Sequence, residues 1–226
     1  MNVYDNPKNV QEKRKPLEPM NDSRTVFLVD DDPSVRRALT RLMRSAGYDG
    51  HAFASAQEFL EWWRATDESP ACLVLDVRMP GLTGMDLQLE LQAAGALLPI
   101  IFITGHGDIP MSVKAMKDGA ADFLMKPVKD MELLEAIEKA LARAKHDLGE
   151  RKELKGIQKR LDTLTPRERE VMTMVVRGLL NKQIAFELGT VEKTVKVHRA
   201  RVMEKMAVQS LAELVRIAER AGLNRT

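Results

Sequence analysis

One cysteine, Cys72, is all that the 226 residues contain. It cannot make an internal disulfide, and a metal site built on clustered cysteines is excluded. Its place inside an apolar run suits a thiol acting as a small buried hydrophobe. Long apolar runs are missing too: none approaches the ~20 residues a membrane-spanning helix needs, so no membrane partner is expected. Residues 1–24 are polar, hold Pro7, Pro16 and Pro19, and lack the apolar core of a signal peptide. The expectation is a disordered extension on a cytoplasmic protein. Net charge is nearly absent, at +2, so the chain as a whole does not announce a polyanionic partner. Its distribution says more. From Arg160 onward 13 Lys/Arg face 8 Asp/Glu, and the remainder is slightly acidic. That asymmetry, with a length that suits two domains, points to two parts with different jobs.

What is present is alternation. Cys72-Leu73-Val74-Leu75 is an apolar run, closed by Asp76 and then by the turn Met79-Pro80-Gly81. A short apolar run bounded by turn residues reads as a buried strand. Similar strands are expected at Thr25 to Val29, Tyr48 to Phe53, Ile100 to Ile103 and Asp122 to Met125. Helical spacing follows each one: Pro33 to Gly47, Ser55 to Arg64, a helix after Gly84, Pro110 to Lys117, and Met131 to about Lys145. Strands and helices that alternate five times imply an α/β doubly wound parallel sheet with helices on both faces.

In such a sheet the strand ends converge on one edge, where ligands bind. Here those ends carry Asp30 and Asp31, Asp76, Thr104 and Lys126. Each alone reads as a solvated strand end. Together they put three carboxylates, a hydroxyl and an ammonium in one pocket. Crowded carboxylates resist ionisation unless a cation compensates. A hard divalent ion such as Mg²⁺ meets that need. A carboxylate beside it can attack a phosphoryl group to give an aspartyl phosphate, with Lys126 and Thr104 on the phosphoryl oxygens.

The segments Val29-Asp30-Asp31-Asp32, Leu75-Asp76-Val77-Arg78-Met79-Pro80-Gly81, Ile103-Thr104-Gly105-His106-Gly107-Asp108 and Asp122-Phe123-Leu124-Met125-Lys126-Pro127 resemble the receiver domain of two-component response regulators, a flavodoxin-like fold, over residues 25–145. The resemblance implies that Asp76 accepts a phosphoryl group from a phosphohistidine on a cognate sensor histidine kinase. It implies that Asp31, Asp76 and the backbone carbonyl of Arg78, helped by Asp30, ligate Mg²⁺ or Mn²⁺. Thr104 and Phe123 become the switch pair, Lys126 a phosphoryl-binding group, and Lys126-Pro127 a cis peptide. Gly105 stands where the family often has Ala, a change that removes no chemical group.

Residues 146–162 are rich in both charges. Leu154, Ile157 and Leu161, three and four apart, permit a helical linker with a narrow apolar stripe; an exposed helix end running into a connector fits as well. Beyond it, four helices are expected in residues 163–226. Thr165-Pro166 starts the first, whose face is Val171, Met172, Val175 and Val176. Asn181 is expected to cap the second, with Ile184, Ala185 and Leu188 inward. Glu192 to Met206 forms the third, burying Val195, Val202, Met203 and Met206 and leaving Lys193, Lys196, Arg199 and Arg201 outside. Ser210 to Ala221 forms the fourth, with Leu211, Leu214, Val215 and Ala218 inward. Two short helices about a glycine turn, the second basic, suggest a helix-turn-helix.

Leu164-Thr165-Pro166-Arg167-Glu168-Arg169-Glu170-Val171, Asn181-Lys182-Gln183-Ile184-Ala185 and Thr194-Val195-Lys196-Val197-His198-Arg199 resemble the LuxR-type DNA-binding domain. By that resemblance Lys196, Val197 and Ala200 face bases, while Lys182, Thr194, His198 and Arg199 meet phosphates of promoter DNA. Two departures stand out. Val191 replaces a capping Ser, and Ala207 replaces a Gly where a left-handed backbone is costly for a side chain.

Together the halves resemble a response regulator of the FixJ/NarL type. That implies a transcriptional activator that is not an enzyme beyond its own phosphorylation and dephosphorylation, forms a homodimer on phosphorylation, and engages RNA polymerase. Two rivals come from other classes. Asp30-x-Asp32-x-Ser34 loosely matches the nucleophile motif of haloacid-dehalogenase-like phosphatases, in which Asp30 would carry the phosphoryl group. A DNA-binding regulator with a degenerate receiver would use that domain only to dimerise.

Overall fold

The computed structural model describes residues 24–63, 69–105 and 109–223. Most of the N-terminal extension, Arg64 of the expected second helix, and His106-Gly107-Asp108 lie outside them. The described chain divides into two compact units, with the boundary between His146 and Asp147.

The first unit alternates β1 (Thr25–Val29), α1 (Pro33–Ser45), β2 (Asp49–Phe53), α2 (Ala56–Trp62), β3 (Ala71–Asp76), α3 (Gly84–Ala93), β4 (Ile100–Thr104), α4 (Ile109–Lys117) and β5 (Asp122–Met125). All pairings are parallel, in the order β2-β1-β3-β4-β5. This is the flavodoxin-like order, whose direction of winding reverses between β1 and β3. Successive strand residues point to opposite faces, so one strand feeds two cores. Phe27, Val29, Leu73, Leu75 and Phe102 pack with α2, α3 and α4 residues such as Phe59, Leu87 and Ala115. Val26, Leu28, Val74, Ile101 and Ile103 pack on the other face with Met43 of α1 and with Leu133 and Ile137 of α5 (Asp130–Asp162). Burial on both faces explains why these strands are continuously apolar rather than alternating.

Several boundaries differ from expectation, most by a residue or two, and three of the differences are instructive. β2 begins at Asp49 because the Tyr48 N–H is spent on the Met43 carbonyl, at 3.0 Å, in the turn that closes α1. The helix expected to stop near Lys145 continues to Asp162. Its end is occupied: Ile157 and Leu161 are buried in the core of the second unit. α3 begins at Gly84 itself, capped by Thr83 and Asp86 in a reciprocal capping box.

The second unit adds α6 (Pro166–Val176), α7 (Asn181–Glu187), α8 (Glu192–Lys205) and α9 (Leu211–Arg220). Their shared core holds Val171, Met172, Val175, Ile184, Ala185, Val195, Val202, Met206, Leu214 and Ala218. Leu211, expected inward, is exposed. It is the first residue after the Ser210 N-cap and lies beyond the core that Leu214 and Ala218 enter. Asn181 is not the cap of α7: Leu180 is, and its N–H donates to Gln183 Oε1 at 2.8 Å. Asn181 Oδ1 instead accepts from Arg199.

Candidate functional site

Strand register builds the pocket. Val29 pairs with Leu75 and Asp76 with Ile103, so Asp30 emerges beside Asp76 at the reversal between β1 and β3. Thr104 pairs with Met125, and Lys126 N–H donates to the Thr104 carbonyl at 2.8 Å. Lys126 therefore arrives at the same edge. Its Nζ donates to Asp30 Oδ2 at 2.6 Å and to Asp76 Oδ2 at 2.7 Å. Asp31 completes the group: one carboxylate oxygen from each of Asp30, Asp31 and Asp76 lies within 4.8 Å of the others.

Asp30 is fully buried and Asp76 nearly so, whereas Asp31 is exposed. Backbone groups hold the two buried acids. Asp32 N–H donates to Asp30 Oδ1 at 2.9 Å, and Arg78 N–H to Asp76 Oδ1 at 3.3 Å. Arg36 Nη1 donates to the Asp30 carbonyl at 2.6 Å. Burial pushes the Asp30 carboxyl above its ordinary range, against the pull of the Lys126 ammonium. Burial also pulls on Lys126, but hydrogen bonds and charge from Asp30 and Asp76 outweigh it and raise its pKa. The lysine stays charged, and one ammonium faces three carboxylates. That surplus of hard oxygen donors suits a divalent ion of the Mg²⁺ class.

The remaining expected residues are near at hand. Thr104 is buried at the end of β4. Phe123 is half-buried on β5, its ring 6.3 Å from that of Phe102. The Lys126–Pro127 peptide is cis. Gly84 and Arg36 were not singled out from sequence. A Cβ at Gly84 would sit 2.2 Å from the Asp76 carbonyl oxygen, so only glycine lets α3 start against that strand end. The signal was there: a glycine directly after Thr83, a helix-capping residue type. Arg36 gave no signal, because an arginine on a helix face does not announce a carbonyl partner.

In the second unit α8 exposes Lys196, Val197 and Ala200, and α7 exposes Lys182. Thr194, His198 and Arg199 are half-buried; His198 Nδ1 is buried without a hydrogen-bond partner. Val191 is the N-cap of α8 and makes no side-chain cap bond. Several basic residues are tied to the unit's own backbone: Arg160 donates to the Met206 carbonyl at 2.8 Å, Arg167 to that of Leu188 at 2.6 Å and Arg169 to that of Leu161 at 2.7 Å.

Two family models match the chain. Residues 26–138 match the response regulator receiver domain and residues 162–218 the bacterial regulatory proteins of the luxR family. Nodulation protein W of Bradyrhizobium diazoefficiens is 50% identical over 199 residues, 88% of this chain and 87% of the relative. The chain belongs to the two-component response regulators. The transcriptional regulatory protein FixJ of Azorhizobium caulinodans is 44% identical over 204 residues, covering 90% of this chain and 96% of the relative. Among solved structures, the response regulator StyR matches with a TM-score of 0.79 and 49% identity over 87% of this chain and 98% of that one. Full-length FixJ from B. japonicum matches with a TM-score of 0.53 and 43% identity over 88% and 97%. This response regulator thus pairs a receiver with a LuxR-type DNA-binding domain and acts in transcription regulation. The phosphatase reading fails on that membership. No helix among the described residues is long and apolar enough to cross a membrane.

Proposed function

We propose that this response regulator is a transcriptional activator switched by phosphorylation of Asp76. The observation that carries the reading is the convergence of Asp30, Asp31 and Asp76 within 4.8 Å around one lysine. Asp30, Asp31, Asp76 and the Arg78 carbonyl would hold Mg²⁺ (or Mn²⁺), which when bound supplies positive charge for the phosphoryl oxygens. An Asp76 carboxylate oxygen attacks the phosphorus of a phosphohistidine on the sensor kinase. The P–N bond breaks, the imidazole leaves, and an acyl phosphate forms on Asp76. Lys126 neutralises a phosphoryl oxygen, and the Thr104 hydroxyl moves to another. Phe123 then turns into the space beside Phe102, which changes the face near α4 and α5 and favours a homodimer.

Paired α8 helices bind two half-sites of promoter DNA, where two weak contacts become one strong one. Lys196, Val197 and Ala200 face base edges. Lys182, Thr194, His198 and Arg199 meet phosphates, and the bound dimer engages RNA polymerase. A degenerate, purely dimerising receiver has no use for the whole set of acids, hydroxyl and lysine, which favours the switched reading.

Acetyl phosphate with Mg²⁺ tests this on wild type and Asp76→Asn, read by intact mass and size-exclusion light scattering. The expected result is a phosphoryl adduct and a monomer-to-dimer shift, both absent from the variant. An adduct that survives in Asp76→Asn moves the acceptor elsewhere. An Asp76→Asn protein that dimerises and binds its promoter like phosphorylated wild type sinks the gating mechanism.

A further inference from the structure

α1 and Ala52 of β2 line an open depression of about 540 Å³. Arg36, Arg37, Arg41 and Arg44 line it, with Pro33 and Ala52 as apolar surface and no carboxylate in the lining. Four guanidiniums on three turns of one helix repel one another, and folded surfaces ordinarily offset such charge with acids. Here none of the four is in an ion pair among the described residues. Arg36 is committed to the Asp30 carbonyl. That leaves Arg37, Arg41 and Arg44, spaced four and three apart and so on one face of the helix, over a rise of about 10 Å. A concave site lined by one sign of charge focuses its field and concentrates counter-ions. The guanidinium fork matches the paired oxygens of a phosphate.

We propose that this depression binds a small anion bearing a short phosphate chain, with Arg37, Arg41 and Arg44 on its phosphates. The volume lies within the range of small-molecule sites, roughly 300–1,000 Å³. Two sources share this chemistry: a nucleoside triphosphate, whose base would use the Pro33 and Ala52 surface, and inorganic tripolyphosphate, which has none to place there.

Isothermal titration of the full chain with ATP and with tripolyphosphate, near physiological salt and without Mg²⁺, tests the site. One-to-one saturable binding is expected. It should weaken about tenfold in Arg41→Gln and a hundredfold or more (~10²) in Arg37→Gln/Arg41→Gln/Arg44→Gln. The single variant keeps the test open should the triple one not fold. Tighter binding of ATP assigns a nucleotide; equal binding assigns the phosphate chain alone. Absence of saturable binding of either probe up to millimolar concentration overturns the proposal, as does binding that ignores the arginines. Stronger competition through the same arginines by polyglutamate or by duplex DNA also overturns it, in favour of a macromolecular partner.

Discussion

Lys126 in the receiver and Lys205 in the DNA-binding unit meet carboxylates with nearly the same geometry and to opposite effect. Lys205 Nζ lies 2.6 Å from Glu168 Oε2 and donates to the Thr163 carbonyl at 2.9 Å. Glu168 is buried, and its Oε2 also accepts Thr165 N–H at 2.9 Å, within the capping box that starts α6. One charge answers one charge, and the remaining donors are backbone groups. The Lys205 hydrogen bond, with the capping bond behind it, lowers the Glu168 pKa to about 2. In the receiver Lys126 answers Asp30 and Asp76 at once, with Asp31 alongside. Burial there drives Asp30 up instead of down. A balanced pair fixes a structure. A pair with surplus negative charge leaves a site short of a cation, and its fold tolerates that cost for the sake of what binds.

The largest expected effect breaks the balanced pair. Lys205→Met leaves Glu168 buried without its counter-charge, and such a loss costs about 3–5 kcal/mol. Trp62 and Trp63 are the only tryptophans and lie in the receiver. Tryptophan fluorescence therefore follows the receiver, and far-UV circular dichroism follows both units. The variant should lose helical signal early in urea while its fluorescence transition stays put; coincident, unshifted transitions would contradict the role given to this pair.

Acid probes the same contrast. Glu168 has a depressed folded pKa, so its stabilisation is complete above its ordinary value of 4.5 and is lost as pH falls toward about 2. On the order of 3 kcal/mol is involved. Asp30 has the opposite sign. A carboxyl raised in the fold binds its proton more tightly there, so its contribution to stability grows as pH falls through its folded value. In urea melts between pH 5 and pH 2.5 the DNA-binding unit should weaken more than this term allows the receiver to. A divalent ion tests the other member of the pair. Mg²⁺ at a hundredfold above its Kd should stabilise the receiver by about 2.7 kcal/mol and leave the second unit unmoved. Equal shifts in both units would mean a general salt effect.

Much of the receiver was legible because its strands are short apolar runs that end in chemistry-bearing residues. Asp30, Asp31, Asp76, Thr104 and Lys126 could be placed at one edge from order alone. The full length of α5 was not legible. Gly149 and Gly156 fall inside it, each costing about 1 kcal/mol relative to Ala, and its charged surface dilutes the apolar stripe. Burial of Ile157 and Leu161 outweighs that cost. Sequence points to Asn181 as the cap of α7 because Asn is a better cap than Leu, and the backward reach of Gln183 is a weaker signal. Glu168 and Lys205 lie 37 residues apart, beyond any local pattern. Counting charges also overstates how many guanidiniums are uncommitted. Arg160, Arg167 and Arg169 spend guanidinium hydrogen bonds on carbonyls that close helix ends and turns.

The smallest expected effect separates the charge pair from the turn that carries it. α8 ends two residues before Ala207, which has φ 54° and is the one non-glycine residue in the left-handed region among those described. Ala207 N–H donates to the Glu204 carbonyl and Val208 N–H to the Met203 carbonyl, each at 3.0 Å. That pair of bonds is the Schellman closure, normally built on glycine at this position. A side chain there costs roughly 1–2 kcal/mol in crowding of its Cβ, offset in part by the lower chain entropy of Ala in the unfolded state. Ala207→Gly should therefore stabilise the DNA-binding unit by up to about 1 kcal/mol, read as a later helical transition in urea with unchanged tryptophan fluorescence. Combined with Lys205→Met, it should recover only that much of the loss. Fuller recovery would show that the turn, rather than the Lys205–Glu168 pair, is what holds the end of α8 against α6.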